Sequence, residues 1–277
     1  MKQRRKVFLL VLLACITLLS ACNSVSDGSS DNRMAVERAI EKLLAVDHYR
    51  MVDRDDYAFY FEGELNEKKG ETPYTIFHRP YKAKMTSRFL REGHIVIVQY
   101  YEKAHRGGYA AKSIHISEDG LVGTDEGLSD WNSEWFTLQV LDNLVDEKFV
   151  GETVIDGVAV EKYEIIVGAY PFIVNFGAEY EKRDDITKIY LEEFSKCTGV
   201  AYIDTETGCI YKLEFDLQEK IILYERINER IKNETNDIWT EMREFNKYII
   251  TITYSDVNSD DPHFAEIEKE IDEIMGK

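Results

Sequence analysis

Cysteine is the residue type whose position in this chain points most directly to chemistry, since a thiolate can be acylated, oxidised or bound to a metal. The chain has 277 residues and four cysteines. Cys22 differs from the others because a basic start, an apolar run from Val7 to about Leu19 and a few small residues lead directly to it. That order is typical of a secretory signal and its cleavage site, and the apolar run is shorter than the ~20 residues that span a bilayer. The sequence therefore predicts export, with cleavage beside Cys22.

The tetrad Leu19-Ser20-Ala21-Cys22 resembles the lipobox of bacterial lipoproteins. In that family the cysteine thiol is diacylated and the signal is cut before it. The resemblance therefore implies a signal peptide over residues 1–21 and a lipid on Cys22 that holds the protein at the extracytoplasmic face of the cell membrane. The alternative is a plain secretory signal in which Cys22 is incidental.

A polar segment follows the predicted anchor. Residues 23–33 (NSVSDGSSDNR) have too little apolar surface to repay the entropy cost of ordering them. We interpret residues 22–33 as the lipidated cysteine and a flexible tether with a reach of roughly 18 Å. Residues 34–277 show no second linker and are predicted to form a single domain.

Cys197 and Cys209 are predicted to be buried free thiols. Residues 200–217 have the pattern of a β-hairpin in which Cys209 lies opposite Asp204. Cys197 then lies roughly 23 Å further along the partner strand, whereas a disulfide requires Cα atoms within about 7 Å. A disulfide is the alternative, because exported proteins often pair their cysteines.

The sequence contains none of the common catalytic motifs. It has no Gly-x-Ser-x-Gly, no His-Glu-x-x-His, no phosphate-binding loop and no dinucleotide fingerprint. The six histidines are scattered, and the acidic clusters lack the order of a calcium loop. We predict a protein that is not an enzyme, with no catalytic residues, no metal and no cofactor. An unrecognised hydrolase is an alternative, since paired carboxylates can lie far apart in a sequence.

The charge balance excludes acidic partners. The chain has 34 basic and 52 acidic side chains and a net charge of −18, and the first 21 residues carry four of the basic groups. The exported chain is therefore more acidic still, and nucleic acids and anionic headgroups will repel it. We expect no nucleic-acid partner, and membrane attachment only through the lipid on Cys22.

The apolar periodicity predicts a fold of the α+β class. Helical spacing is found at 34–46, 130–145, 184–196, 219–246 and 264–275. Aromatic and β-branched runs predict strands at 57–65, 74–78, 81–89, 94–101, 109–117, 149–155, 158–167, 200–204, 209–217 and 247–254. Asp156-Gly157 is the strongest hairpin signal among them.

Several of these segments together resemble the lipoprotein carriers and receptors of the LolA, LolB and LppX type. The segments are Ile155-Asp156-Gly157-Val158, Lys162-Tyr163-Glu164-Ile165, Tyr202-Ile203-Asp204 with Thr207-Gly208, and Ile250 to Asp256. The resemblance spans residues 34–257 and implies a strongly curved antiparallel sheet, an incomplete β-barrel packed with several helices. Members of this type bind acyl chains or other apolar ligands between sheet and helices. This chain departs from the typical carrier by its long extra helical segments at 168–197 and 219–246.

Two predicted strands are apolar on both faces. Residues 57–61 and 95–101 are apolar or aromatic almost throughout, whereas a strand with one wet face alternates. Both faces therefore need cover, from helices or from a ligand. The predicted ligand-binding residues are Phe59, Phe61 and Ile97 in these strands and Trp131 and Trp135 in the following helix. A packed core without a cavity is the alternative for the same residues.

We therefore expect a membrane-anchored extracytoplasmic lipoprotein that carries or binds a lipid or another apolar ligand without catalysis. The alternative is an interaction or regulatory lipoprotein that contacts another cell-envelope protein. That alternative predicts a solid core and an exposed apolar patch.

Overall fold

The computed structural model describes residues 33–61, 64–89, 95–103, 109–117, 120–129, 134–168, 196–217, 229–230, 232–234 and 244–276. Met34–Lys277 form one compact unit. Several predictions lie outside the described residues: the lipidated Cys22, the signal peptide and tether, Trp131, and almost all of the predicted helices at 184–196 and 219–246.

One antiparallel sheet of 11 strands forms the body of the described residues. The strands are β1 (His48–Phe61), β2 (Glu64–His78), β3 (Tyr81–Phe89), β4 (Ile95–Lys103), β5 (Tyr109–Ser117), β6 (Gly120–Ser129), β7 (Leu144–Ile155), β8 (Val158–Gly168), β9 (Lys196–Asp204), β10 (Ile210–Asp216) and β11 (Glu244–Ser255). Their order is β6-β5-β4-β3-β2-β1-β11-β10-β9-β8-β7, so two meanders are joined by the pairing of β1 with β11. The sheet is curved and open, and β6 and β7 are its edges.

The β7–β8 hairpin confirms the strongest turn signal of the sequence. Asp156 and Gly157 have φ angles of 52° and 86°, the left-handed pair that a two-residue primed turn requires. The pairing of Ile155 with Val158 closes the hairpin on either side of the turn.

The strand layout differs from the prediction at three places, each for a local reason. The predicted strand at 57–65 spans the end of β1 and the start of β2, because aromatic residues continue to the end of the strand. β6 was missed, since glycine and acidic residues are depleted in strands and dominate its sequence. Residues 244–246 begin β11, although the helical spacing of 219–246 includes them.

Three helices of the described residues are α1 (Ala35–Leu44), α2 (Trp135–Asn143) and α3 (Pro262–Met275), and each begins and ends within five residues of a predicted helix. None of the described helices combines the length and the apolar character needed to cross a membrane. α2 follows β6 in the chain and leads directly into β7, so this part of the chain crosses from one edge of the sheet to the other.

The two faces of the sheet are covered by different helices. We call the face that packs against α1 and α2 the inner face, and it carries Tyr49, Ile165 and Leu213. The outer face packs against α3 and carries Phe77 and Tyr100. The helices therefore supply part of the cover that strands with two apolar faces need.

Ion pairs fix α3 on the outer face. Lys82 of β3 is 5% exposed, and its Nζ donates to Glu268 and Asp272 of α3, at 3.0 Å each. Tyr100 donates its hydroxyl to Glu270 at 2.6 Å. Tyr101, the next residue of β4, belongs to the inner core, so β4 is buried on both faces at this point.

The N-terminus of α1 is capped by a residue that is distant in the sequence. Met34 has no side chain that caps a helix, and the carboxylate of Glu147 on β7 accepts hydrogen bonds from the backbone N–H groups of Ala35 and Val36, at 2.5 and 2.8 Å. A carboxylate at this end also interacts favourably with the helix dipole. The α1 helix is thereby attached to an edge strand of the sheet.

Cys197 and Cys209 are buried free thiols, which confirms the prediction from strand geometry. The backbone N–H of Asp204 donates to the carbonyl of Cys209 at 3.0 Å, the register expected from the sequence. Burial raises the pKa of the Cys209 thiol, the effect of an apolar setting that keeps the thiol unreactive.

Candidate ligand-binding face

The candidate site is the inner face of the β1–β6 meander. α1 packs mainly on β7, β9 and β10, and α2 packs mainly on α1 and β8. Two rows of inner-face residues cross the meander from β1 to β6. The first row is Tyr49, Ile76, Ala83, Tyr101, Ala111 and Gly127, and the second is Met51, Tyr74, Met85, Gln99, Ser113 and Asp125. Both rows change from large and buried side chains at the centre of the sheet to small or polar ones at its β6 edge.

Two glycines leave space on the inner face of β6. A Cβ atom added to Gly123 or Gly127 would meet no atom within 4 Å in the described structure. Their cross-strand partners on β5 are His115 and Ala111, which place both glycines on the inner face. Ile97, one of the predicted ligand-binding residues, pairs with His115 and is half-buried. This edge of the inner face therefore has room for a group that is not part of the described chain.

Polar groups on the same strands are paired with one another. Tyr101 donates its hydroxyl to Gln99 at 2.9 Å, and the Gln99 amide donates to Ser113 at 3.0 Å. The Nε2 atom of His115 lies 3.1 Å from Oδ2 of Asp125 on β6. The face is therefore amphipathic, with apolar side chains at the centre and a hydrogen-bonded polar strip towards the edge. Among the described residues no group of three His, Cys, Asp or Glu is placed to hold a metal ion.

Tyrosine is the dominant large side chain of this face. The rings of Tyr81 and Tyr109 are 5.0 Å apart, and those of Tyr49 and Tyr254 are 6.0 Å apart. Burial raises the pKa of Tyr101 to about 12. Phenols with a raised pKa stay neutral at physiological pH, so this face offers aromatic surface and hydroxyl groups without charge.

Asp53 places a carboxyl group on the inner face. It pairs with Thr72 and Ile252, and its buried Oδ1 has no hydrogen-bond partner among the residues that the structure describes. Desolvation, followed by the charge of Asp55, raises the pKa of Asp53 to about 7. The ionised carboxylate therefore destabilises the folded chain, because burial removes hydration that no hydrogen bond to Oδ1 replaces.

We expect the Asp53→Asn variant to be more stable than the wild type at pH 8, by about 1–3 kcal/mol. The folded-state pKa of about 7 lies above the ordinary aspartate pKa of 3.8. The folded wild type therefore takes up its proton first as the pH falls, and its stability rises between about pH 7 and pH 4. The advantage of the variant should shrink over this window. Urea unfolding at pH 4, 6 and 8 measures it, with Asp260→Asn on the exposed surface as the control. A gain in the free energy of unfolding that is the same at all three pH values would contradict the raised pKa of Asp53.

A buried polar network fixes the start of α2. Glu134, just before the helix, is 4% exposed and accepts a hydrogen bond from the Tyr49 hydroxyl. The Nε2 atom of His78 lies 2.8 Å from the same carboxylate, and Nδ1 lies 2.6 Å from the Val46 carbonyl. Thr137, in the first turn of α2, shares a hydrogen bond of 2.6 Å with the Tyr254 hydroxyl. The first turn of α2 is thus attached to β1, β2 and β11.

His78 is protonated more readily in this network than in water. Burial lowers its pKa, but the hydrogen bond and charge of Glu134 and the Val46 carbonyl outweigh burial, and the net pKa is raised. Both ring nitrogens face acceptors, and only the doubly protonated imidazolium donates from both. The network is therefore best satisfied as an ion pair between His78 and Glu134.

The predicted ligand-binding residues fall into three groups. Ile97 lies on the inner face, and Trp135 is the half-buried first residue of α2. Phe59 and Phe61 belong to β1, but their side chains lie outside the described set, as does the whole of Trp131. The role of these five residues as a ligand site stays a prediction.

Sequence reasoning missed the inner-face tyrosines and Asp53. Tyr81, Ala83 and Met85 alternate along β3 with lysines, a period-2 signal that could have assigned them to one face. No pattern indicated that Asp53 is buried, because it lies in the run Asp53-Arg54-Asp55-Asp56, which is typical of a solvent-exposed surface.

The solved structures that resemble this chain include bacterial lipoproteins and lipoprotein-sorting proteins. LppX from Mycobacterium tuberculosis is 12% identical over 81% of this chain and 93% of its own, with a TM-score of 0.42. LprF from Mycobacterium bovis is 9% identical over 80% of this chain and 90% of its own, with a TM-score of 0.43. A LolA superfamily protein from Nitrosomonas europaea is 11% identical over 80% of this chain and 90% of its own, with a TM-score of 0.20.

The LolA and LppX type that the sequence resembles is thus also found among solved structures similar to this chain, at TM-scores of 0.43 or lower. Identities of 9–12% assign no ligand and no activity to this chain. No family model matches the sequence, and no curated protein matches it. The lipobox, the anchor on Cys22 and the absence of catalysis stay predictions.

Proposed function

We propose that this chain is a membrane-anchored extracytoplasmic lipoprotein that binds a lipid or another amphipathic molecule on its inner face and performs no catalysis. The observation that carries the proposal is the unfilled space beside Gly123 and Gly127, at the small and polar edge of an inner face whose centre is apolar and tyrosine-rich. The signal sequence and the lipobox resemblance of Cys22 support the location.

The chemistry of the face favours an amphipathic ligand over a purely apolar one. Ile97 and Ala111 are half-buried on the inner face and provide apolar contact, while Gln99 and Ser113 form a polar strip on the neighbouring positions. A ligand pocket of this kind binds apolar chains through the hydrophobic effect and orients them through a few hydrogen bonds. Acyl chains with an uncharged or cationic polar end fit both the surface and the acidic character of the chain.

We expect substitutions that fill the space to remove the ligand. Gly127→Trp places an indole on the inner face of β6, whereas Thr124→Trp places the same ring on the outer face of the same strand, where Thr124 is exposed. Native mass spectrometry with lipid extraction, on full chains purified from a bacterial envelope, should find a bound lipid in the wild type and in Thr124→Trp. Its occupancy should fall at least about tenfold in Gly127→Trp, the loss expected when about 1.4 kcal/mol of binding energy is removed.

A Cys22→Ser variant distinguishes a lipid attached covalently to Cys22 from a lipid bound non-covalently by the domain. Without the thiol, any lipid that remains is held non-covalently by the domain, and a covalent anchor should be absent. Circular dichroism checks that each variant is folded. A clean apo mass for the folded wild type would contradict the proposed binding, and retention of the lipid by Gly127→Trp would place it elsewhere.

A further inference from the structure

The edge strand β7 exposes an unusual amount of apolar surface. Six large hydrophobic side chains are exposed among the described residues, and four of them belong to β7. These four are Val145 (52% exposed), Phe149 (52%), Val150 (47%) and Val154 (66%). An edge strand with such side chains is a template for pairing with another chain.

The two edge strands differ in the exposed side chains that are described. The described side chains of β6, at residues 123–127, include the exposed Asp125 and Glu126 and no large hydrophobic residue type. Charged residues and bulges on an edge strand discourage pairing. β7 also carries exposed charges, among them Lys148, and its pairing with β8 is bulged near both Leu144 and Phe149. Residues 151–155, which include the exposed Val154, pair with β8 without a bulge and form the regular part of this edge.

β7 is held in place for pairing. It runs over 12 residues, pairs with β8 on one side, and has no pairing strand among the described residues on the other. The turn at Asp156-Gly157 fixes the hairpin, and the Phe149 ring packs on Tyr163 with the centroids 5.4 Å apart. The strand is therefore preorganised, and a partner would not have to order it.

The surroundings of β7 select a basic partner. On the outer face, a groove of about 470 Å³ begins at Asp146 and is lined by Glu164 and Glu214. Lys148 is the one lysine among the described residues of the groove. Its Nζ atom lies 3.1 Å from Oε2 of Glu164.

We propose that β7 binds an extended segment of another cell-envelope protein, which adds to the sheet as a further strand and alternates apolar residues with Lys or Arg. Main-chain hydrogen bonds would provide the pairing, apolar residues would cover Phe149 and Val154 on the inner face, and basic residues at the alternate positions would face the acidic groove on the outer face. A second copy of this chain is a poorer occupant, because two acidic edges of the same charge would repel each other. This inference goes beyond the proposed ligand binding and does not depend on it.

A synthetic nonapeptide of alternating valine and lysine is the probe for the test. Its affinity for the full chain in detergent is measured by fluorescence anisotropy, beside a valine–glutamate peptide and a valine–lysine peptide with N-methylated valines. The variant is Val154→Lys, and the matched control is Leu65→Lys, which makes the same change at an apolar side chain that is 47% exposed on β2.

We expect the wild type and Leu65→Lys to bind the valine–lysine peptide equally. Val154→Lys and the N-methylated peptide should each weaken binding at least about tenfold, and the valine–glutamate peptide should not bind. Equal binding of the N-methylated peptide would overturn the proposal, since it would show ionic adsorption without strand addition. Absence of binding, or self-association of the chain that Val154→Lys abolishes, would also overturn it. Circular dichroism of the free variants shows that any loss is not a loss of fold.

Discussion

Replacing Glu134 by alanine is expected to lower the free energy of unfolding by about 3–5 kcal/mol, the cost of removing one partner from a buried ion pair. The carboxylate is buried and accepts hydrogen bonds from Tyr49 and His78. Without it, both groups remain in a water-poor interior with a donor that has lost its acceptor. The first turn of α2 would also lose its attachment to β1 and β2.

The loss should depend on pH with a defined sign. The folded-state pKa of His78 is raised above 6.5, so the His78–Glu134 pair contributes fully below pH 6.5 and fades as the pH rises through the folded pKa. In Glu134→Ala the two effects of Glu134 that raise the pKa of His78 are lost, and burial, which lowers this pKa, is opposed only by the Val46 carbonyl, so protonation of His78 stabilises the variant less than the wild type. The difference between wild type and variant should therefore be larger at pH 5.5 than at pH 9. It should not vanish at pH 9, because the Tyr49 hydrogen bond persists.

Urea unfolding at pH 5.5, 7 and 9 measures both the size and the sign. Glu126→Ala is the matched control, since Glu126 has an exposed side chain that is paired with Lys112 on the sheet surface. Such surface pairs contribute about 0–1 kcal/mol. A Glu134→Ala variant as stable as this control, or one whose deficit grows with pH, would contradict the buried ion pair.

Gly199→Ala is the second substitution with a large expected effect, a loss of about 2–3 kcal/mol. An added Cβ would lie 2.6 Å from Cδ1 of Phe215 and 3.0 Å from the carbonyl oxygen of Glu214. Phe215 is fully buried, and its ring packs edge-on against Phe136 with the centroids 5.6 Å apart. The ring therefore cannot move aside without disturbing the core beneath α2.

The same methyl group can be added where there is room for it. Gly123 lies in β6, and its new Cβ would meet nothing within 4 Å in the described structure. We expect Gly123→Ala to change the free energy of unfolding by less than about 0.5 kcal/mol. Chemical denaturation of the two variants in parallel isolates the effect of the contact with Phe215. Equal stabilities would show that the ring yields, and that the close packing of β9 on β10 is not required.

Much of the fold was accessible from the sequence because it is encoded locally. The Asp156-Gly157 turn needs two residues that accept a left-handed backbone, and the apolar residues of α1 recur at helical spacing. The prediction for Cys197 and Cys209 needed only the rise per residue of a strand. β6 was missed because its glycines and acids carry no strand signal, and pairing with β5 overrides that weak propensity.

The candidate site was less accessible, because its features depend on contacts between distant residues. Ile97 was predicted as a ligand-binding residue from its apolar strand, and it lies on the inner face. The space beside Gly127, in contrast, exists only once β6 pairs with β5. The burial of Asp53 follows from its pairing with Ile252, about 200 residues further along the chain. Glu134 gave no signal either, since a glutamate before a helix is ordinary until Tyr49 and His78 lie beside it.

The sequence by itself determined an acidic α+β chain of hairpins and amphipathic helices, and it predicts export and lipidation at Cys22. Only the tertiary structure decided which strands lie at the edges, which polar groups are buried and which surface stays open. Backbone preferences and apolar periodicity act over a few residues, so the sequence displays them directly. The burial of polar side chains and the interactions between their charges depend on the pairing of β1 with β11 and on the position of α2 between the edges of the sheet. These contacts join residues that are far apart in the sequence, so no local pattern predicts them.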